Sequence, residues 1–321
     1  MVRHIVLLCL MLCLTAPGAA VAQPFAVSVN QFVEHPALDS VLSGFQERLE
    51  QLQVPVTYRI HNAQANIATA TQIAYQIAGE KPDLVLAIAT PSAQACAQAI
   101  KKSPQLSRTP LLFTAITDPV GAGLVTDLDR PGGMITGVSD RLPMDEHMAN
   151  LRRFVPDLKT LGVIYNSGEA NSKTNVALIR EAGKRMGFSV IEATVSKSSE
   201  VYQAAKSLVG RADAVFVPTD NTVISEIEAA VKVCRQNRLP LFAADIDTVK
   251  RGAVAAMGFD YHQHGRQTAD LALRILNGAD PGAQPVEFQH DLLLYINMDA
   301  ASKMGVSVSD ELLSEAEQVY R

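Results

Sequence analysis

The chain contains no tryptophan, and aromatic residues make up only 5% of its 321 positions. A sugar site built on indole stacking is therefore disfavoured. Excess positive charge is also lacking: the net charge of −5 gives no electrostatic reason to expect nucleic-acid binding. Catalytic signatures are missing as well. There is no G-x-G-x-x-G after a strand, no P-loop, no G-x-S-x-G elbow, no H-E-x-x-H and no C-x-x-C. His262 and His264 flank Gln263 at an expected helix start, where alternate residues point different ways, so no metal site is expected. No cofactor is expected either.

Long apolar runs are scarce. The longest opens the chain: Arg3 and His4, an apolar stretch from Ile5 to Leu14, then Pro17, Gly18 and Ala20-Val21-Ala22 before Gln23. That is the layout of a cleavable signal peptide over residues 1–22. The run is about half of the roughly 20 apolar residues that a membrane span needs. Leu10-Met11-Leu12 before Cys13 lacks the small residue expected upstream of a lipidated cysteine. The mature chain is thus expected in the periplasm or outside the cell, and not embedded in a membrane. Cys96 and Cys234 remain after the leader, in expected helices that follow different strands. Both read as free, buried, small apolar side chains. A chain exported without disulfides relies on a large core, and this length permits one.

What the chain does have is a repeated layout. Five short apolar runs each stop at a polar cluster and then become helical. They are Leu84–Ala89 into Thr90-Pro91-Ser92, Leu111–Ile116 into Thr117-Asp118-Pro119, and Leu161–Tyr165 into Asn166-Ser167-Gly168-Glu169. The last two are Ala214–Val217 into Pro218-Thr219-Asp220-Asn221, and Leu241–Ala244 into Asp245-Ile246-Asp247. Such runs separated by helices are what a parallel sheet buried on both faces requires. Two series of β-α units are expected, one on each side of the Pro/Gly-rich loop that ends in a short strand at Ile135–Val138. Helices are expected over about Asn171–Met186, Val201–Val209, Thr222–Asn237 and Tyr261–Leu276, and a final strand over Phe288–Ile296. In parallel sheets ligands bind beyond the carboxyl ends of the strands, which is where the polar clusters fall. Helix capping explains one polar residue per helix but not whole clusters. The clusters carry hydroxyls and amides suited to a carboxylate and aspartates suited to an ammonium, with no nucleophile–base pair. This is the chemistry of a binder and not of an enzyme.

Several motifs together have a family likeness. Glu34-His35-Pro36-Ala37-Leu38-Asp39, Ala115–Val125, Gly137-Val138-Ser139-Asp140, Tyr165-Asn166-Ser167, Pro218-Thr219-Asp220-Asn221 and Gly258-Phe259-Asp260-Tyr261 with Gly265 occur in order along the mature chain. In these the chain resembles the exported ABC-transporter substrate-binding family that contains the tryptophan- and tyrosine-associated (TrpX-like) proteins. The resemblance implies a type I periplasmic-binding-protein fold, with two Rossmann-like lobes of parallel sheet closing on a ligand between them. It implies that the helix after Asp260 returns to the first lobe and that the chain then crosses back. The lobes are then residues 23–140 with about 261–283, and 141–260 with about 284–321. The function implied is that of a monomeric receptor handing a small molecule, an amino acid with an aromatic or bulky apolar side chain, to the permease of an ABC importer. A receptor presenting the same clamp to a signalling partner, and a secreted α/β enzyme, are the alternatives.

For a zwitterion buried between lobes, both charges must be matched. Thr90, Ser92 and Thr117 are expected to hold the carboxylate with helix N-termini. Asp220, Asn221 and Asp245 are expected to hold the ammonium, with Asp220 as its leading partner. Asn166, Ser167 and Glu169 are expected at either main-chain group or a polar side chain. Asp118 and Thr219 belong to the same clusters, and Phe32 and Tyr165 are expected to flank the ligand's side chain.

Overall fold

The computed structural model describes residues 23–321, so the expected signal peptide lies outside the described residues. A first lobe is built from β1 (Phe25–Gln31), α1 (Pro36–Gln51), β2 (Val56–Asn62), α2 (Ile67–Glu80), β3 (Leu84–Ile88), α3 (Thr90–Lys102), β4 (Leu111–Thr114) and β5 (Ile135–Ser139). The chain crosses to a second lobe through α4 (Met144–Phe154), β6 (Thr160–Asn166), α5 (Ala170–Met186), β7 (Ser189–Val195), α6 (Val201–Leu208), β8 (Ala214–Val217), α7 (Asn221–Ser225), α8 (Ile227–Gln236), β9 (Leu241–Ala243), α9 (Asp247–Lys250) and β10 (Ala255–Gly258). It returns to the first with α10 (Tyr261–Leu276) and β11 (Glu287–Phe288). A last crossing leads to β12 (Leu293–Asn297), α11 (Met298–Met304), α12 (Asp310–Glu315) and β13 (Gln318–Tyr320).

The first sheet runs β11-β5-β4-β3-β1-β2 and the second β13-β12-β10-β9-β8-β6-β7. All pairings are parallel except β10 with β12. Every residue of β3, β4, β5, β8 and β9 is buried, because helices cover both faces of each sheet. Each sheet has its own hydrophobic core. At the second crossing, Phe259 packs into one core and Tyr261 into the other. Cys96 and Cys234 are free and buried. Among the described residues no helix is long and apolar enough to cross a membrane.

The elements depart from the sequence expectation where pattern is weak. β7 was not anticipated: it is an edge strand that mixes exposed, half-buried and buried residues, so it offers no continuous apolar run. The strand expected over Phe288–Ile296 is two strands. Gln289 to Leu292 form the third crossing between them, and β11 pairs with β5. The first lobe therefore extends to Phe288, a few residues past the boundary expected near 283. The helix expected over Thr222–Asn237 breaks at Glu226, where the backbone turns to φ −127° and ψ 34°. Arg251 takes up the freed carbonyls, donating to Ile224 O at 2.7 Å and Ser225 O at 3.4 Å.

Two glycines let the returning helix seat. A Cβ on Gly44 would lie 2.1 Å from His262 O, and one on Gly265 would lie 2.0 Å from Val41 O. The backbones of α1 and α10 thus touch, which brings the start of α10 to the first sheet's carboxyl edge.

Candidate functional site

A small cavity of about 20 Å³ lies between the lobes, and its walls are the segments that leave the carboxyl ends of strands in both sheets. The first lobe contributes His35 after β1, Ala115 and Thr117 after β4, Asp140 after β5 and Tyr261 at the start of α10. The second contributes Asn171 from the first turn of α5, Thr219 and Asn221 after β8, and Asp245 after β9. Ala37, Leu38 and Ile224 supply apolar surface.

The first-lobe wall is tightly organised. Asp140 accepts from Thr117 Oγ1 at 3.1 Å through Oδ1 and from Tyr261 OH at 3.0 Å through Oδ2. Burial pushes Asp140 up to about 6, opposed by those two bonds. Ala115 sits at φ +55° and Ala89, before α3, at φ +76°, a region where an L-residue is strained by about 1–3 kcal/mol. Both mark strand ends at the cleft. The Ala115 N–H donates to His264 Nε2 at 3.1 Å, which assigns the other ring proton of this neutral imidazole to Nδ1.

The second-lobe wall contains two aspartates in different situations. Asp245 Oδ1 accepts from the Asp247 N–H at 2.9 Å, while its buried Oδ2 has no partner. Burial, then the Asp247 carboxylate, pushes Asp245 up to about 7. Asp220 does not reach the cavity. It is the N-cap of α7, accepting from Val223 N at 2.8 Å, Asn166 N at 2.5 Å and Ser172 Oγ at 2.6 Å. Burial and the neighbouring Glu169 carboxylate push it well above the usual carboxylate range.

Of the residues expected at the site, Thr117, Thr219, Asn221 and Asp245 are brought together at the cavity. The others are elsewhere, each for a local reason. Glu169 is consumed by the start of α7, accepting from Asn221 Nδ2 at 2.5 Å, Thr222 N at 3.0 Å and Thr222 Oγ1 at 2.7 Å. Asn166 bonds Thr222 Oγ1 and Gly168 N, and Ser167 is exposed. Ser92 donates to Asn30 at 3.0 Å. Thr90 is buried at the start of α3, with its hydroxyl unpartnered. Asp118 stays at the cleft rim, accepting from Gly121 N at 2.9 Å and Thr174 Oγ1 at 3.4 Å. Phe32 lies in the first core, and Tyr165 lies in the second, donating to Glu192 at 2.6 Å. Neither lines the cavity.

His35, Asp140, Asn171 and Tyr261 line the cavity without having been anticipated there. His35, Asp140 and Tyr261 lie in sequence motifs already singled out, Asn171 stands at the start of an expected helix, and Asp140 directly follows a strand. The rule applied to five strand ends, extended to β1, β5 and β10, would have found three of them.

The cavity's unsatisfied groups have a common character. His35 Nδ1 and Nε2, Asn171 Oδ1 and Asp245 Oδ2 are all buried without a hydrogen-bond partner. Burial lowers His35 to about 4, so the imidazole is neutral and offers one donor and one acceptor. The rest are acceptors. No Lys or Arg lines the cavity. Arg251, the nearest guanidinium felt by Asp245, is paired with Glu228 at 2.6 Å. Across the cavity Thr117 Oγ1 and Thr219 Oγ1 lie 3.2 Å apart, and Asn175 Nδ2 donates to Thr219 Oγ1 at 2.7 Å. The lobes are in contact.

Residues 26–320 match the family model described as ABC transporter substrate binding protein. The chain is 38% identical over 284 residues to a tyrosine-binding protein of Clostridioides difficile (strain R20291), covering 87% of this chain and 81% of that protein. It is similar to the ABC domain of a Streptococcus pneumonia protein solved in complex with L-Trp, at TM-score 0.86 and 32% identity, covering 91% of this chain and 99% of that one. It is also similar to the ligand-free, open structure of a Clostridium difficile substrate binding protein with adhesive properties. There the TM-score is 0.68 at 36% identity, with 92% of this chain and 99% of that chain covered.

Proposed function

Because the chain belongs to the ABC transporter substrate binding protein family, a family of solute receptors and not of enzymes, we propose that it captures an aromatic amino acid outside the cytoplasm and delivers it to an ABC importer. The observation that carries the ligand class is Asp245. A buried carboxylate with an unpartnered oxygen, in a cavity whose free groups are mostly acceptors, suits a ligand rich in donors. An ammonium has three donors and no acceptor. The His35 N–H is suited to the carboxylate, and Ala37, Leu38 and Ile224 to the side chain. The names of the relatives support tyrosine or tryptophan as the first candidates.

Capture proceeds by hinge closure at the three crossings, between residues 23–140 with 261–288 and residues 141–260 with 289–321. The two structural relatives support this. At similar identity, the chain superposes much better on the L-Trp complex than on the open, ligand-free structure, the difference expected if lobe spacing changes with ligand. The leader over residues 1–22 directs export in this reading.

A thermal-shift panel tests the proposal. L-Tyr or L-Trp at a hundredfold excess over Kd should stabilise the native state by about 2.7 kcal/mol. Mass spectrometry of ligand released from freshly purified, denatured protein should find the same compound. Stabilisation by sugars or nucleosides alone would leave the family membership intact and overturn the amino-acid ligand.

A further inference from the structure

Asp140 has no role in the reading above, yet it faces the same cavity as Asp245 from the opposite lobe. We propose that the ligand's ammonium is gripped by both carboxylates at once, Asp140 from the first lobe and Asp245 from the second, so that the ligand's own positive charge ties the lobes together. The inference rests on the amino-acid reading and sharpens it: the receptor requires a protonated primary amine, and Asp140 is a specificity-determining residue.

Two carboxylates buried in one cavity repel, and each is costly to ionise without a cation nearby. Among the described residues no cation free of an acidic partner faces them. Asp245 is faced by Asp247 from its own turn, by Asp140 across the cavity and by Arg251, whose guanidinium is held by Glu228. Asp140 is faced by the neutral groups Tyr261 OH and Thr117 Oγ1, which hold its carboxylate in place. Tyr261 in turn lies within the influence of Asp245 and Asp247. The remaining titratable neighbour, His35, is kept neutral by burial. Behind the second-lobe wall Asp220 and Glu169 add negative charge and no positive charge.

Hydrogen-bond capacity gives the same answer. Asp245 Oδ2 has no partner. Each Asp140 oxygen has one donor, and a carboxylate oxygen accepts two. Thr117 and Thr219, 3.2 Å apart at the lobe contact, provide a third acceptor. That set matches three N–H bonds. A metal ion fits less well, since calcium takes six to eight oxygens and, among the described residues, no group of three or more His, Cys, Asp and Glu is placed to hold one. The arrangement also couples binding to protons. Burial raises both acids, so part of the population is protonated near neutrality. As the ammonium enters, the O–H proton of the acid leaves to solvent and the carboxylate pairs with N–H⁺.

Calorimetry on the mature protein with L-Tyr and L-Trp tests this. Titrations in buffers of different ionisation enthalpy should show protons released on binding at pH 6–7 and fewer at pH 8.5. The 2-hydroxy acids of matched side chain, which lack the ammonium, should not bind. Asp140→Asn should weaken affinity by about thirtyfold or more, and its melting curve, run alongside, verifies folding. Asp140→Glu, which restores the charge, should recover part of the loss. Wild-type binding without proton release, or a folded Asp140→Asn within threefold of wild type, overturns the two-acid grip and leaves the amino-acid reading standing. If neither amino acid binds wild type, the amino-acid reading itself fails. Displacement of these amino acids by calcium would assign the pair to a metal and overturn the inference.

Discussion

Asp220 and Asp245 end neighbouring strands of one sheet, both are wholly buried, and both are raised above the usual carboxylate range by that burial. Their roles nevertheless diverge. After β8 three residues lead to α7 with Asp220 as its N-cap, and the first turn of α5 lies beside it, so Asp220 is saturated by Val223 N, Asn166 N and Ser172 Oγ. After β9 three residues also lead to the four-residue α9, but Asp245 lies one residue ahead of the capping position, and only one of its oxygens finds a donor. A strand-end aspartate is a cap where its neighbours can satisfy it, and keeps a free oxygen for another donor where they cannot. The comparison extends across the cleft, where Asp140 resembles Asp220 in having both oxygens bonded but Asp245 in facing the cavity.

Three measurements would break or sharpen this contrast. The largest effect is expected from Asp245→Asn, which removes a counter-charge from a buried ammonium and should weaken amino-acid binding by roughly 2–5 kcal/mol. Titration calorimetry measures it directly. An affinity within a few-fold of wild type would erase the distinction between the two aspartates.

Next is Asp220→Ala, which strips three bonds from the start of α7 and should lower stability by about 3 kcal/mol in denaturant unfolding. The folded fraction should still bind amino acid within a few-fold of wild type. Loss of affinity at preserved stability would move Asp220 from cap to ligand contact.

The smallest effect concerns pH. Asp245 titrates near 3.8 in the unfolded chain and near 7 when folded. Between those values the folded state binds the extra proton, so this group's stabilising contribution is present below about pH 4 and lost as pH rises through about 7. The uncharged amide introduced by Asp245→Asn has no such dependence. The variant should therefore become more stable relative to wild type as pH rises from 4 to 8, as denaturant unfolding at several pH values would show. Equal pH profiles would mean that Asp245 is not buried in solution.

The strands that locate the site were legible because a strand covered on both faces must be apolar throughout, as in Leu84–Ile88 and Ala214–Val217. β7 was not, because an edge strand needs to be apolar only at alternate positions. The split of Phe288–Ile296 was hidden for a related reason: Phe288 and Leu293 look continuous in sequence, but the polar Gln289-His290-Asp291 between them belongs to a crossing. Phe32 and Tyr165 were misplaced because an aromatic near a strand end fits a core as well as a cleft, and both cores had room for them.

The sequence by itself determined the two mostly parallel sheets, the polar edge at the strands' carboxyl ends, and the hydrogen-bonding character of that edge, because apolar periodicity and strand-end polarity are local properties. Only the tertiary structure decided which polar side chains remain free. A hydroxyl, amide or carboxylate at the cleft is free for a ligand only when no neighbour satisfies it, and its neighbours come from distant chain: Ser172 closes off Asp220, Asn30 closes off Ser92, and Tyr261 reaches Asp140 because Gly44 and Gly265 let α10 seat against α1.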